Sequence, residues 1–363
     1  MRDDAPTWRQ APMTVAIAVL CALHFTAMFA VGLSAADDPQ GFAIGSLWNV
    51  PDAPGSPLLS RFGGLQVARV WADGEWWRIL TATFAHGSWM HLVLNLYALL
   101  AIGPWVERVL GKYWLLVQYI LACVAGSLAS LAWIEAAMVV GASGGILGLA
   151  GLLWVLRRFG AEATRAQLAE VSASALAITI VLVVALGAAV PIIAQAGHLG
   201  GLAAGFVGGW AFLGRPWRHV LSIVLLGALG LAAWRPTWSS QYHAFLGYHW
   251  LRAGEHATAL ASLESALERD PEDVELANAV AYELAIAGIE LERARTLIER
   301  SLAAEPENPD YLDTMGWILC RKGETEAGLE WIRRAVAALD GESVAEIEAH
   351  LETCKDARVG STP

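Results

Sequence analysis

The stretch Gly141-Ala142-Ser143-Gly144-Gly145-Ile146-Leu147-Gly148-Leu149-Ala150-Gly151 sets five glycines around one hydroxyl. Two readings of Ser143 follow. Small residues let transmembrane helices approach closely, and serine is common on such faces. The same hydroxyl is also a potential nucleophile, and that reading requires a base at the same depth. Which reading holds depends on what the rest of the chain brings to this level.

The chain is 56% apolar and 16% charged over 363 residues, with a mean hydropathy of +0.47. That is too apolar for a soluble protein of this length and indicates a membrane protein. Seven apolar runs are long enough, or nearly so, to cross about 30 Å of hydrocarbon. They lie near 12–34, 84–103, 113–134, 139–156, 170–193, 196–213 and 217–234. The fourth and sixth are short and glycine-rich, as suits helices buried among others. Arg2 and Arg9 precede the first run, and Ser34-Ala35-Ala36 resembles a cleavage site. The run is longer than a signal core, so it reads as an anchor.

Arg2/Arg9, Arg108/Lys112, Arg157/Arg158/Arg165 and Arg215/Arg218 fall at alternate connections, while the loops after the third and fifth runs carry no Lys or Arg. These connections, and with them the N-terminus, are expected on the cytoplasmic side. Arg61, Arg69 and Arg78 lie in the long segment on the other side, where charge counts weakly. Seven spans then put the C-terminal part outside the cytoplasm. That part contributes most of the net charge of -11, which argues against a nucleic-acid partner. Cys21 and Cys123 read as small apolar residues. The four cysteines show no metal-ligand spacing, and a Cys320–Cys354 bridge is left open. No cofactor or metal is expected.

Polar residues inside spans are functional candidates. His91 and Asn95 begin the second span, Ser143 the fourth and His198 the sixth; all three spans run in the same direction, so these residues share a depth just below the outer surface. Gly197, Gly201, Gly205 and Gly209 recur every fourth residue on the sixth span, and Gly144 and Gly148 do so on the fourth. Two such stripes allow backbone-to-backbone packing, which a Ser143 hydroxyl needs to reach a His198 ring. His91 and Asn95, four apart, project from one helix face and can donate, with a backbone N–H near Ser143, into one oxyanion hole. The nearest carboxylates, Glu107 and Glu135, are badly placed for a triad, so a Ser-His dyad is expected.

These residues resemble the rhomboid intramembrane serine proteases. In order, Glu75-Trp76-Trp77-Arg78 with His86 resembles the family's tryptophan-arginine loop, and MHLVLN at 90–95 its H-x-x-x-N element. PWVERVLG at 104–111 resembles the Glu-Arg connection, GASG at 141–144 the G-x-S-G motif, and GHLGGLAAG at 197–205 the H-x-x-G-x-x-x-G helix. The resemblance covers roughly residues 75–210. It implies an all-α polytopic bundle, a rhomboid-like six-helix core to which the seventh span is added. Ser143 would be the nucleophile, His198 the base, and His91 and Asn95 the oxyanion donors. Trp77 and Arg78 would belong to a loop partly in the outer leaflet. Trp77, Arg78, His86, Glu107, Gly141, Gly144 and Gly201 would support the site. Transmembrane proteins in the bilayer are the implied substrates, cut near their extracytoplasmic ends, and the implied location is a bacterial inner membrane. Leu147 departs from members that carry an aromatic one turn after the serine. The segment around Ala188–Ala196, with Pro191, is a candidate cap over the site.

From about Trp234-Arg235-Pro236 the pattern turns amphipathic. Gly247, Gly254, Ala259, Ala266 and Pro271 stand at the tetratricopeptide offsets of a unit starting near Ser240. Units near 275–308 and 309–342 repeat it in part, with Ala294, Ser301 and Pro306, then Gly316, Gly323 and Ala335. A helix near Ser343–Lys355 is expected to cap the stack. The expected organisation is a protease domain at 1–236, a repeat domain of about three units at 237–356 that binds a peptide or protein, and a flexible tail at 357–363. The rival reading is a catalytically silent rhomboid-like scaffold. A transporter is disfavoured, because the spans lack a charged pathway and paired broken helices.

Overall fold

The computed structural model describes residues 6–48, 57–134, 138–189, 195–214, 218–339 and 345–360. The chain divides into two compact units, Met1–Pro236 and Thr237–Pro363. The expectations placed on Arg2, Glu135, Pro191, Arg215 and the start of the seventh run lie outside the described residues, as does most of the proposed cap.

Each of the seven apolar runs falls on a helix in the first unit. These are α1 (Pro12–Ala35), α6 (Trp89–Leu110), α7 (Lys112–Trp133), α8 (Ser143–Phe159), α10 (Ala173–Ala189), α11 (Gln195–Phe212) and α12 (His219–Trp234). Only α1, α6 and α7 are long and apolar enough by themselves to cross a membrane, among the described residues. The glycine content of α8 and α11 explains part of this difference from the sequence reading. A helix enclosed by others needs small residues rather than apolar bulk, and α11 buries ten residues, six of them glycine.

The long segment between α1 and α6 folds into the short helices α2 (Pro39–Gly45), α3 (Pro57–Arg61), α4 (Val67–Ala72) and α5 (Arg78–Thr81). It also supplies β1 (Leu65–Gln66), which pairs antiparallel with β2 (Met138–Val139), Leu65 opposite Val139. The all-α expectation misses this pairing. It ties the loop before α4 to the chain leading into α8, and α9 (Glu162–Gln167) then follows α8.

Glu107, near the end of α6, holds the start of α1. Its carboxylate accepts from Met13 N at 3.0 Å, Thr14 N at 3.0 Å and Thr14 Oγ1 at 2.9 Å. The backbone donors belong to a helix N-terminus and have no intrahelical acceptor. Gly103 lets the helices close here, since a Cβ on it would stand 2.4 Å from Thr14 Cγ2.

The second unit consists of helix pairs. They are α13 (Ser240–Arg252) with α14 (His256–Arg269), α15 (Val274–Ala287) with α16 (Leu291–Ala304), and α17 (Pro309–Arg321) with α18 (Thr325–Ala338). α19 (Ala345–Gly360) follows, and it extends into the stretch read as a flexible tail. Its start is outside the described residues. Ala259, Ala266, Ala294 and Ala335 are fully buried at the pair contacts. Cys320 and Cys354 form a disulfide with a Cα–Cα distance of 5.8 Å, joining α17 to α19.

Candidate active site

Ser143 is the first residue of α8 and His198 the fourth of α11. The two meet through their glycines. A Cβ on Gly201 would lie 2.1 Å from Gly144 O, and one on Gly205 1.9 Å from Gly148 O. No side chain fits there, so the backbones touch, and Ser143 Oγ lies 2.8 Å from His198 Nε2. α7 completes the cradle: a Cβ on Gly126 would lie 2.7 Å from Gly197 O.

His91 reaches the same level from α6. Ser88 caps that helix by accepting from His91 N at 3.0 Å, which sets where the first turn begins and therefore where the ring points. The ring lies against Gly141: a Cβ there would stand 2.6 Å from His91 Cε1, and φ is +116°. Both facts require glycine. Gly141 N donates to Ala82 O at 2.9 Å, so the turn into the serine helix is fastened to the segment before α6. Asn95 is buried one turn below His91 and donates from Nδ2 to His91 O at 2.8 Å. An amide nitrogen carries two hydrogens, so one is left for another acceptor.

The flanking candidates hold the frame. Arg78 is 2% exposed. It donates from Nη1 to Ser60 O and Gly64 O, both at 2.7 Å, and from Nε to Glu75 at 2.5 Å. Its guanidinium covers the Trp77 ring at 4.5 Å, while Trp77 itself is half exposed. His86 is fully buried, with Nδ1 on Phe84 O at 3.1 Å and its ring edge-on to His91 at 5.1 Å. Glu107 lies at the α1 cap, away from the Ser143–His198 pair. Leu147 is buried against Ala150, Ile180 and Leu202. Among the described residues no cluster of three His, Cys, Asp or Glu is placed to hold a metal.

Sequence reasoning missed a buried polar cluster under the serine helix. Thr83 Oγ1 lies 3.1 Å from Tyr119 OH and 3.0 Å from Cys123 Sγ. A Cβ on Gly145 would meet Cys123 Sγ at 2.5 Å and the Tyr119 ring at 2.7 Å. Gly145 was the available signal, a glycine in GASGG with no partner in the α11 stripe.

Residues 73–215 match the family profile of the Rhomboid domain. Over these residues, which run from before α5 to just past the end of α11, the chain is similar to rhomboid domains. It is 31% identical over 271 residues to the Rhomboid protease GluP of Bacillus subtilis (strain 168), covering 69% of this chain and 50% of that protein. It is also 35% identical over 166 residues to RHOMBOID-like protein 4 of Arabidopsis thaliana, covering 45% and 41% respectively. Inactive RHOMBOID-like protein 8 of Arabidopsis thaliana is 29% identical over 100 residues, 28% of each chain. The chain spans about half the length of the curated relatives it matches, from 41% to 60% in the first three. This similarity, together with three helices long and apolar enough to cross a membrane, makes the chain an integral membrane protein.

Proposed function

We propose that the first unit is an intramembrane serine endopeptidase working through a Ser143–His198 dyad. The observation that carries this is the 2.8 Å contact between Ser143 Oγ and His198 Nε2, made by the first turns of two helices inside the stretch similar to rhomboid domains. In the reaction His198 Nε2 takes the Ser143 proton as Oγ attacks a substrate carbonyl carbon. The tetrahedral oxyanion is held by donors on one side: the His91 ring, the second amide hydrogen of Asn95 and the backbone N–H groups that open α8. The protonated His198 then gives its proton to the leaving amine, which frees an acyl-enzyme. Water attacks that ester, His198 takes the water proton, and Ser143 leaves with a proton restored.

The substrate is a transmembrane segment with a locally unwound stretch, because a regular helix keeps its carbonyls in its own hydrogen bonds. The three helix pairs of the second unit are proposed as tetratricopeptide repeats that bind a peptide or protein. The Cys320–Cys354 bridge supports an extracytoplasmic setting for them, since such bridges persist in oxidising compartments. The membrane is proposed to be a bacterial inner membrane, with the N-terminus on the cytoplasmic side.

A silent scaffold is the second reading, favoured by the similarity to a relative named as inactive. A fluorophosphonate probe separates the two. Wild-type protein in detergent or bilayers is expected to label and to cut a model transmembrane substrate. Ser143→Ala should do neither while inserting normally. Wild-type protein that fails to label would support the scaffold, and cleavage by the alanine variant would overturn the dyad.

A further inference from the structure

A cavity of about 210 Å³ lies between α1, α5 and α7, on the far side of α7's Tyr119 and Cys123 from the serine helix. Ala16, Leu20, Leu80, Phe84, Leu116 and Ile120 form its walls. Leu20 and Leu80 are exposed, so the cavity opens at the outer surface of the helices rather than into the bundle. Among the described residues that line it, the polar side chains are those of Thr83, Tyr119 and Cys123, which are turned on one another, with Thr83 Oγ1 at 3.0–3.1 Å from the other two. Apolar cavities of this kind stay dry and take apolar guests.

We infer that this crevice is a binding site for one acyl chain of a bilayer lipid. Such a site requires only that the first unit be a membrane bundle, whether or not Ser143 is a nucleophile. Two of the walls, α1 and α7, are helices long and apolar enough to cross a membrane, so the medium at the opening is hydrocarbon. A guest with hydrogen-bonding groups would find no free partner on the Thr83–Tyr119–Cys123 floor, whereas a methylene chain needs none. A substrate polypeptide is disfavoured by position. Tyr119 and Cys123 stand between the crevice and Gly145, so a peptide lodged there cannot present a carbonyl to Ser143. The guest does touch the floor against which Gly145 packs, two residues beyond Ser143. Lipid chains are therefore positioned to support the back of the serine helix.

The full chain in bilayers containing a phospholipid with a photoreactive diazirine on its acyl chain tests this, with adducts mapped by mass spectrometry. Label on Leu116 and Ile120 is expected at several times the level on Ile223, Val224 and Leu231, which are exposed on α12. Ala16→Phe fills the crevice and should reduce the first group to the level of the second; Ala16→Leu should do so in part. Ser143→Ala protein should label like wild type, so failure of the protease reading leaves this test intact. Equal labelling of both groups in wild type would overturn the site. So would labelling of the crevice that both Ala16 variants leave unchanged, or a photoreactive substrate helix that labels Leu116 and Ile120 in place of lipid.

Discussion

The two units pack helices by different means. Where α8 crosses α11, glycine meets backbone: any Cβ on Gly201 or Gly205 would lie within 2.1 Å of a carbonyl oxygen. In the second unit α17 crosses α18 with glycines too, but there a Cβ on Gly316 would meet Ile332 Cγ1 at 2.5 Å before Gly328 O at 2.8 Å. Apolar side chains such as Leu312, Leu329 and Ile332 surround that crossing. In water the hydrophobic effect drives such clustering, and small residues only refine the fit. In a bilayer the surrounding lipid is equally apolar, so close backbone contact and dispersion must provide the association.

The contrast is tested most severely by Gly205→Ala. The new methyl has backbone on the other side and no side chain to displace, so about 3 kcal/mol of destabilisation is expected. Loss of fluorophosphonate labelling should accompany it, as the Ser143–His198 contact opens. Glu107→Ala should cost about 2 kcal/mol by leaving the α1 N-terminal donors unpaired in a buried place, read as a lower thermal midpoint in detergent. Gly316→Ala should cost less, about 1 kcal/mol, because the nearest backbone atom, Gly328 O, stands 2.8 Å from the new methyl, whereas at Gly205 it stands at 1.9 Å. If Gly205→Ala and Gly316→Ala prove equally costly, the distinction between the units fails.

The smallest effect belongs to pH. Burial raises the Glu283 pKa above its ordinary value of 4.5, with His256 opposing the shift. The folded state then holds this proton more tightly than the unfolded chain does. The contribution is fully present below 4.5 and is lost as pH rises through the higher folded value. Glu283→Gln keeps an acceptor for His256 Nδ1, which lies 2.9 Å from the carboxylate. It should flatten the dependence of the second unit's thermal midpoint on pH just above 4.5; an unchanged slope would assign that dependence to other groups.

The sequence made the apolar helices and the meeting of Ser143 with His198 in the candidate site legible because both leave periodic marks: apolar runs, and glycines four apart flanking the two residues. Boundaries were less visible. α6 starts at Trp89 rather than near 84 because Ser88 caps it, and it continues through Pro104 to Leu110. The β1–β2 pairing spans two residues on each side and sets up no alternation to read. Glu107 was recognisable as a residue fixing a connection, but not its partner, 93 residues away at Thr14. The Thr83–Tyr119–Cys123 cluster joins residues that look ordinary one at a time; only the packing against Gly145 gathers them.

The glycine contact between α8 and α11 also has an entropic side. Ordering a buried side chain costs up to about 2 kcal/mol in rotamer freedom for the longest residues, whereas glycine has none to lose. Between Gly144 and Gly201, and between Gly148 and Gly205, no rotamer has to be frozen when the two helices meet. At these two crossings the Ser143–His198 distance is therefore held by carbonyl and Cα surfaces. It should fluctuate with the main chain, without the additional disorder that a layer of side chains would introduce between the two reacting groups.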